Sequence, residues 1–143
     1  MNAVEFDVRC QYLEIYNEVI NDLLDPTGQK VQIRETPDKG VYPEPCTEER
    51  VTSIAEVLDV ISKGSRNRHV AETRMNQESS RSHGIFTAII RMIQVLDSGE
   101  QHVKTSRFHI VDLAGSERIK DTGAEGMRVK EAGMINKSLT VLG

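Results

Sequence analysis

The sequence predicts an α/β fold within a single domain of 143 residues. Apolar and polar residues alternate over residues 4–16, which is typical of a half-buried strand. Residues 85–93 form a nearly continuous apolar run, as expected of a central strand that is covered on both faces. Between these runs, apolar residues recur at helical spacing after a capping signal at Ser53. Strands and helices that alternate along one chain are typical of the α/β class.

The first third of the chain contains further strands and turns. A short segment of polar and apolar residues at 17–24 follows the first strand, and the sequence DPTG at residues 25–28 predicts a tight turn. Residues 31–34 alternate as a short strand. Three prolines and one glycine at residues 36–45 predict a loop or an irregular edge hairpin.

The first helix is predicted by its cap and its apolar spacing. Ser53 and Glu56 fit a capping box, in which the serine hydroxyl accepts from the Glu56 amide and the glutamate reaches back. Gly64 predicts the helix end, and residues 65–83 then form a polar stretch. The apolar positions of this helix are Ile54, Val57, Leu58 and Ile61.

The second half of the chain predicts a strand pair and a last helix. Turn residues at 97–100 predict a hairpin between the run at 85–93 and a second long strand at 103–113. A glycine-bearing loop follows at 122–126. The last helix has one apolar face, formed by Ala132, Ile135, Leu139 and Leu142.

Composition excludes several classes of protein. Hydrophobic residues make up 38% of the chain and charged residues 28%, which is ordinary globular composition. The longest apolar runs are too short to span a membrane, and no secretion signal is present, so we expect no membrane partner. Cys10 and Cys46 provide neither a disulfide framework nor paired metal-ligand spacing, which favours reduced thiols in a cytosolic or nuclear protein.

Charge is distributed unevenly along the chain. Residues 1–72 carry 14 acidic and 8 basic side chains, whereas residues 73–143 carry 8 acidic and 10 basic ones. The basic part favours an acidic partner, although scattered surface bases are the commoner explanation. The bases near the end of the chain are Arg118, Lys120, Arg128, Lys130 and Lys137.

A polar cluster, NQESSRSH at residues 76–83, stands directly before the central apolar run. Taken alone, it is compatible with a solvated loop, a serine–arginine tract or half of a phosphate site. One Ser-Arg-Ser unit is too short for RNA binding, and three Phe, three Tyr and no Trp provide no stacking platform. We therefore expect no nucleic-acid polymer as a partner.

A second motif, FHIVDLAG at residues 108–115, is a strand that ends in a carboxylate with a glycine three positions later. Nucleotide hydrolases use this arrangement: the aspartate holds Mg²⁺, usually through water, and the glycine amide approaches the terminal phosphate. A single D-x-x-G is a weak signal, because many strands simply end in a turn.

Together the two motifs resemble the nucleotide-sensing switches of the kinesin motor domain. Residues 76–83 match the first switch, N-x-x-S-S-R-S-H, and residues 112–117 match the second, D-L-A-G-S-E, without a mismatch. The resemblance covers essentially the whole chain and is greatest to mitotic, spindle- or phragmoplast-associated kinesins. Four further stretches agree with the family: YLEIYNE at 12–18, DLLDP at 22–26, KDTGAEG at 120–126 and INKSL at 135–139.

The resemblance implies a part of the kinesin P-loop NTPase fold, with a mixed central sheet of about four strands flanked by helices. It implies an ATP-driven microtubule motor that uses Mg²⁺ and is located in the cytoplasm, on the microtubule or spindle cytoskeleton. By the same resemblance, Ser79 contacts the γ-phosphate or the attacking water, and Ser80 ligates Mg²⁺. Asn76 orders the first switch over the phosphates. Asp112 holds the water shell of Mg²⁺, and the Gly115 amide senses the γ-phosphate.

Three further roles follow from the resemblance. Arg81 and Glu117 form a salt bridge that closes the pocket, and Asn136 begins the helix that relays nucleotide state to the microtubule. The residues expected to face the acidic tubulin surface are Lys120, Arg128, Lys130 and Lys137, together with the loop at residues 41–50.

The phosphate-cradling loop G-x-x-x-x-G-K-[ST] does not occur in the 143 residues. The resemblance places it upstream of residue 1, and places the final helices, the neck linker and any oligomerising regions outside residues 1–143 as well. We therefore expect a partial motor domain with negligible ATP hydrolysis by itself. Its last strand edge would be open, which favours aggregation or dimerisation. The alternatives are a truncated microtubule-binding fragment without catalysis and a different NTPase of the same ancestral fold.

Overall fold

The computed structural model describes residues 3–74 and 82–115, and most of these residues belong to one antiparallel sheet and a single long helix packed on it. The strand order is β2-β1-β6-β7, and β5 also pairs with β1. A separate two-stranded sheet contains β3 and β4. The elements are β1 (Ala3–Tyr16), β2 (Val19–Asp22), β3 (Gln32–Thr36), β4 (Gly40–Glu44), β5 (Glu49–Val51), α1 (Ile54–Arg74), β6 (Ser82–Val95) and β7 (Gln101–Asp112).

The centre of the sheet is the long pairing of β1 with β6. Its register runs from Ala3 opposite Val95 to Tyr16 opposite Ser82. The predicted hairpin joins β6 to β7 and places Gly84 opposite Asp112. The predictions of long strands at both places are confirmed. The strand β6 lies between β1 and β7, and most of its residues are buried or half-buried, in agreement with its nearly continuous apolar sequence.

The predicted turns and the edge hairpin are also present. The Gly28 amide donates to the Asp25 carbonyl at 3.1 Å, which closes the DPTG turn. The proline-containing segment forms the β3–β4 hairpin, and Gly40 adopts a left-handed φ of 67° where that hairpin turns. A two-residue turn with positive φ at Asn17 and Glu18 joins β1 to β2. This turn type matches the twist of the flanking strands.

The helix α1 begins as its sequence predicts but continues well past the predicted end. The Glu56 amide donates to the Ser53 hydroxyl at 3.3 Å, and the Glu56 carboxylate accepts from both the amide and the hydroxyl of Thr52. The prediction that Gly64 ends the helix is wrong, because α1 runs on to Arg74. A Cβ on Gly64 would lie 2.1 Å from Cδ1 of Tyr12. The glycine therefore permits close packing of helix on strand instead of marking a helix end.

The core lies between α1 and β1. Tyr12 and Phe86 meet edge to face, with ring centroids 5.9 Å apart and planes at 85°. Such pairs contribute about 0.5–1.5 kcal/mol beyond the area that they bury. The buried core residues are Cys10, Tyr12, Leu23, Leu24, Val51, Val60 and Phe86.

The strand β7 is exposed along its whole length and lies at one end of the described sheet. Phe108, Ile110 and Val111 are 61%, 52% and 48% exposed. An apolar edge strand of this length invites pairing with another strand. That the isolated chain dimerises or aggregates through this edge remains a prediction.

In the described ranges, no helix is both long and apolar enough to cross a membrane. Both cysteines are free thiols, Cys10 buried and Cys46 partly buried. Burial, together with the nearby Asp22 and Glu48 carboxylates, raises the pKa of the Cys46 thiol to about 12.

An ion-pair cluster ties β5 to β1 and predicts acid sensitivity. The Asp7 carboxylate accepts from Arg9 and from Arg50, each at 3.0 Å, and these contacts hold the pKa of Asp7 below its usual value of 3.8. A lowered carboxyl pKa stabilises the fold above pH 3.8, and that contribution is lost as the pH falls through the folded-state pKa. We expect Asp7→Asn to lower the free energy of unfolding at pH 7 and to flatten its fall at acid pH. Chemical unfolding between pH 7 and pH 2.5 measures this, and parallel profiles for both proteins would contradict it.

Candidate nucleotide-switch site

The structure brings the described residues of the two motifs, 82–83 of the first and 112–115 of the second, to the same end of the sheet. The strand β6 begins at Ser82, the seventh of the eight residues of the first motif, and β7 ends at Asp112, the first residue of the second motif. Because β6 and β7 are antiparallel neighbours, with Gly84 opposite Asp112, the start of one strand lies beside the end of the other.

Of the predicted site residues, the structure describes Asp112 and Gly115, and both lie at this end of the sheet. The remaining ones fall outside the described residues. They are Asn76, Ser79, Ser80, Arg81, Glu117 and Asn136, together with the microtubule-facing bases Lys120, Arg128, Lys130 and Lys137.

The Asp112 carboxylate is exposed yet held in place. Its side chain is 71% exposed, and Oδ2 accepts a hydrogen bond from Nη1 of Arg68 at 2.8 Å. The Arg68 side chain is itself only 8% exposed. A charge-assisted contact of this kind fixes the direction of the carboxylate while leaving much of it accessible from solvent.

Arg68 was not identified from the sequence, although it contacts both motifs. Its Nε donates to the Ser82 hydroxyl at 3.0 Å, and its Nη2 donates to the Ser82 carbonyl at 2.7 Å. Gly84 makes room for it, since a Cβ there would lie 2.7 Å from Nη1. Arg68 stands four residues after Gly64, so the two residues lie on the same face of α1. Had the helix been predicted to continue past Gly64, this spacing would have indicated that Arg68 faces the sheet.

His83 makes a second connection between the motifs. It is 2% exposed, and its Nδ1 accepts from the Ala114 amide at 2.9 Å, so the neutral ring carries its proton on Nε2. Burial and the Arg68 cation lower the pKa of His83, and the Asp112 carboxylate only partly opposes them. Among the residues that the structure describes, its Nε2 has no hydrogen-bond partner. The Ala114 amide directly precedes Gly115, so this contact orients the predicted phosphate-sensing backbone.

The described residues fit a Mg²⁺–nucleotide site that is completed by other groups. Mg²⁺ usually keeps several waters and takes one or two protein oxygens together with phosphate oxygens. Asp112 supplies an accessible carboxylate, and Ser80 stands two residues before Ser82 in the sequence. In the ranges that the structure describes, no group of three His, Cys, Asp or Glu side chains could hold a metal ion. An all-protein metal cage is therefore not formed by these residues.

The segment at residues 41–50, predicted to face the microtubule, carries charges that are engaged within the chain. Glu44 pairs with Arg34 at 2.8 Å, and Glu49 pairs with Lys63. Glu48 accepts from Gln11 at 3.1 Å, and Arg50 binds Asp7. Thr47 donates its amide to Asp22 at 2.7 Å, which ties the segment to the end of β2. The expected loop is therefore mostly strand, since it comprises most of β4, a short connection and the start of β5, and it has little free positive charge.

Comparisons with known proteins agree with this geometry. A family model described as the kinesin motor domain matches residues 1–143. Kinesin-like protein KIN-12C of Arabidopsis thaliana is 49% identical over 140 residues, covering 98% of this chain and 7% of that protein. Kinesin-like protein KIF15 of Homo sapiens is 52% identical over 139 residues, covering 96% of this chain and 10% of that protein. The chain therefore spans only a small part of the curated relatives that it matches.

Solved structures confirm the predicted fold. A structure of a fast kinesin, described with implications for ATPase mechanism and microtubule interactions, superposes with a TM-score of 0.83 at 45% identity, over 97% of this chain and 38% of that one. The KIF14 dimer in a two-heads-bound state, with AMP-PNP and in complex with a microtubule, superposes with a TM-score of 0.82 at 38% identity, over 97% of this chain and 40% of that one. The chain belongs to the kinesin motor domain family.

Proposed function

We propose that this chain is the switch-bearing part of an ATP-driven microtubule motor, in which Mg²⁺-dependent ATP hydrolysis is coupled to microtubule binding. The observation that carries the proposal is the junction of the two motifs at one end of the sheet, where Arg68 and His83 each connect residues of both. Members of the family are ATPases, and one solved relative is described in complex with a microtubule. The corresponding cellular location is the microtubule cytoskeleton, including the spindle.

In the proposed mechanism, the first switch supplies oxygen and amide ligands around the phosphates. Asn76 orders the switch, Ser79 contacts the γ-phosphate or the attacking water, and Ser80 is a Mg²⁺ ligand. When bound, Mg²⁺ neutralises charge on the phosphate oxygens. Asp112 accepts hydrogen bonds from the water shell of the metal, and the Gly115 amide donates toward the γ-phosphate.

Coupling to the microtubule requires further residues. Arg81 and Glu117 form the ion pair that closes the pocket over the nucleotide, and Asn136 begins the relay helix. Lys120, Arg128, Lys130 and Lys137 face the acidic tubulin surface, where each attraction weakens as the salt concentration rises. For residues 41–50 we propose docking by shape and backbone, because their charges are already paired within the chain.

A second candidate is a microtubule-binding fragment without catalysis. Residues 1–143 contain no G-x-x-x-x-G-K-[ST], the loop that cradles the β- and γ-phosphates, so these residues by themselves would lack that cradle. In both cases we propose that residues 1–143 are a partial motor domain, and that they hydrolyse ATP negligibly when isolated.

A chimera tests the proposal. Residues 1–143 replace the matched segment of the human KIF15 motor domain, which retains its own phosphate-cradling loop. The proposal predicts Mg²⁺-dependent ATP turnover that rises when microtubules are added. Microtubule binding without turnover would favour the second candidate, and a folded chimera with neither property would overturn both. Turnover by the isolated 143 residues close to that of the chimera would contradict the partial-domain account.

A further inference from the structure

We propose that Arg68 is a positioning residue for the switch site. Arg68 holds the Asp112 carboxylate in the direction needed for the Mg²⁺ water shell, and it also fixes the backbone where the first motif enters β6. The proposal rests on the proposed function and adds to it a residue outside both motifs. Arg68 belongs to α1, so it connects the helix to both sensors at once.

The geometry of the guanidinium group supports this role. Three of its nitrogens are used in three different directions: Nε to the Ser82 hydroxyl, Nη2 to the Ser82 carbonyl and Nη1 to the Asp112 carboxylate. Only the planar fork of arginine presents donors in this fixed arrangement, whereas lysine offers one compact ammonium group. The Ser82 carbonyl belongs to the residue directly after Arg81, so Arg68 fixes the backbone next to the predicted closing ion pair.

The two partners of this ion pair differ in burial. Here the Arg68 side chain is 8% exposed and the Asp112 side chain is 71% exposed. The arginine is thus anchored in the protein, while the carboxylate that it holds remains available to a ligand on its open side.

A hydrogen bond from the second motif to His83 adds to the contacts of Arg68 at this end of the sheet. His83, which follows Ser82, holds the Ala114 amide at 2.9 Å. Arg68 and His83 therefore restrain the second motif at two points, the Asp112 side chain and the backbone before Gly115. Gly84 completes the arrangement by leaving the space that the guanidinium occupies. Loss of Arg68 would leave the Asp112 carboxylate free to rotate, with Ala114 still held.

The test uses the chimera described above with Arg68→Ala, Arg68→Lys and, as a matched control, Arg66→Ala, which removes an exposed arginine from the same helix. Binding of a fluorescent ATP analogue is measured against Mg²⁺ concentration and again in EDTA, alongside thermal unfolding. We expect Arg68→Ala to raise the Mg²⁺ concentration for half-maximal binding about tenfold with little change in EDTA. This corresponds to about 1.4 kcal/mol, close to the lower end of the range of about 1.5–3 kcal/mol for a hydrogen bond to a charged group. Arg68→Lys should be intermediate, and Arg66→Ala should match the unmutated chimera.

Further variants separate the possible outcomes. If Arg68 acts through Asp112, then adding Arg68→Ala to Asp112→Asn should shift the Mg²⁺ requirement no further. A variant that unfolds at lower temperature but keeps the original Mg²⁺ requirement would overturn the proposal and leave only a structural ion pair. Should Arg68→Ala fail to fold, Arg68→Lys decides by the same criterion. An unmutated chimera that folds but shows no Mg²⁺-dependent nucleotide binding would overturn the proposed function itself, which is a distinct result.

Discussion

Replacing Gly64 by alanine is expected to destabilise the fold by about 2 kcal/mol, although the same change usually stabilises a helix. Alanine in a helix interior is favoured over glycine by about 1 kcal/mol. At this position, however, the added Cβ would lie 2.1 Å from Cδ1 of Tyr12. Overpacking a close-packed core costs about 1–3 kcal/mol. Because Tyr12 is also packed edge to face on Phe86, it cannot move aside freely, so we expect an overpacking cost of about 3 kcal/mol. Subtracting the helix gain of about 1 kcal/mol leaves the net loss of about 2 kcal/mol.

Urea unfolding of the chimera with and without the substitution measures this effect. The neighbouring change Ser65→Ala, at an exposed position of the same helix, should leave the free energy of unfolding nearly unchanged. Combining Gly64→Ala with Tyr12→Leu should cost less than the sum of the two single changes, because the smaller side chain relieves the overlap. A stabilising effect of Gly64→Ala by itself would show that α1 does not approach β1 as closely as described.

Replacing Arg81 by alanine is expected to abolish microtubule-stimulated ATP turnover while nucleotide still binds. The resemblance assigns Arg81 to an ion pair with Glu117, and both residues lie outside the described ranges. Removing one partner of a buried ion pair typically costs about 3–5 kcal/mol. If that loss falls on the closed state needed for turnover, the rate falls by at least about a hundredfold. Steady-state ATPase assays and nucleotide titrations of the chimera measure the two quantities separately.

Two further variants serve as controls for Arg81→Ala. Arg91→Ala, which removes an exposed arginine from β6, should leave stimulated turnover unchanged. Exchanging the partners, with Arg81→Glu and Glu117→Arg together, should recover more turnover than either single change. Normal stimulated turnover in Arg81→Ala would show that turnover does not need the ion pair. The first motif would then act only as a ligand for the phosphates.

Local signals were enough to predict most of the elements that the structure describes. Alternation identified β1, a continuous apolar run identified β6, and the capping residue Ser53 identified the start of α1. In each case a short stretch of sequence contains the physical cause of the structure. The end of α1 was different, since Gly64 is explained by Tyr12, which stands far away in the sequence. A glycine required for close approach has the same local sequence signal as one that ends a helix.

The candidate site could be predicted only in part for a related reason. Asp112 and Gly115 were identified because a motif contains them, and the pairing of β6 with β7 brings the motifs together. Arg68 belongs to no motif, and its role depends on three-dimensional neighbours. The predicted helix end at Gly64 also placed Arg68 in a polar stretch. A buried arginine can be identified as a functional residue only when the groups that it contacts are known.

We propose that the junction of the two motifs couples nucleotide state to microtubule affinity. Cosedimentation of the chimera with microtubules, in AMP-PNP and in ADP at the same Mg²⁺ concentration, tests it most directly. We expect a dissociation constant that differs between the two nucleotides by at least about tenfold, and a difference that shrinks in Arg68→Ala but persists in Arg66→Ala. Equal microtubule affinity in both nucleotides, in a chimera that binds both, would contradict it.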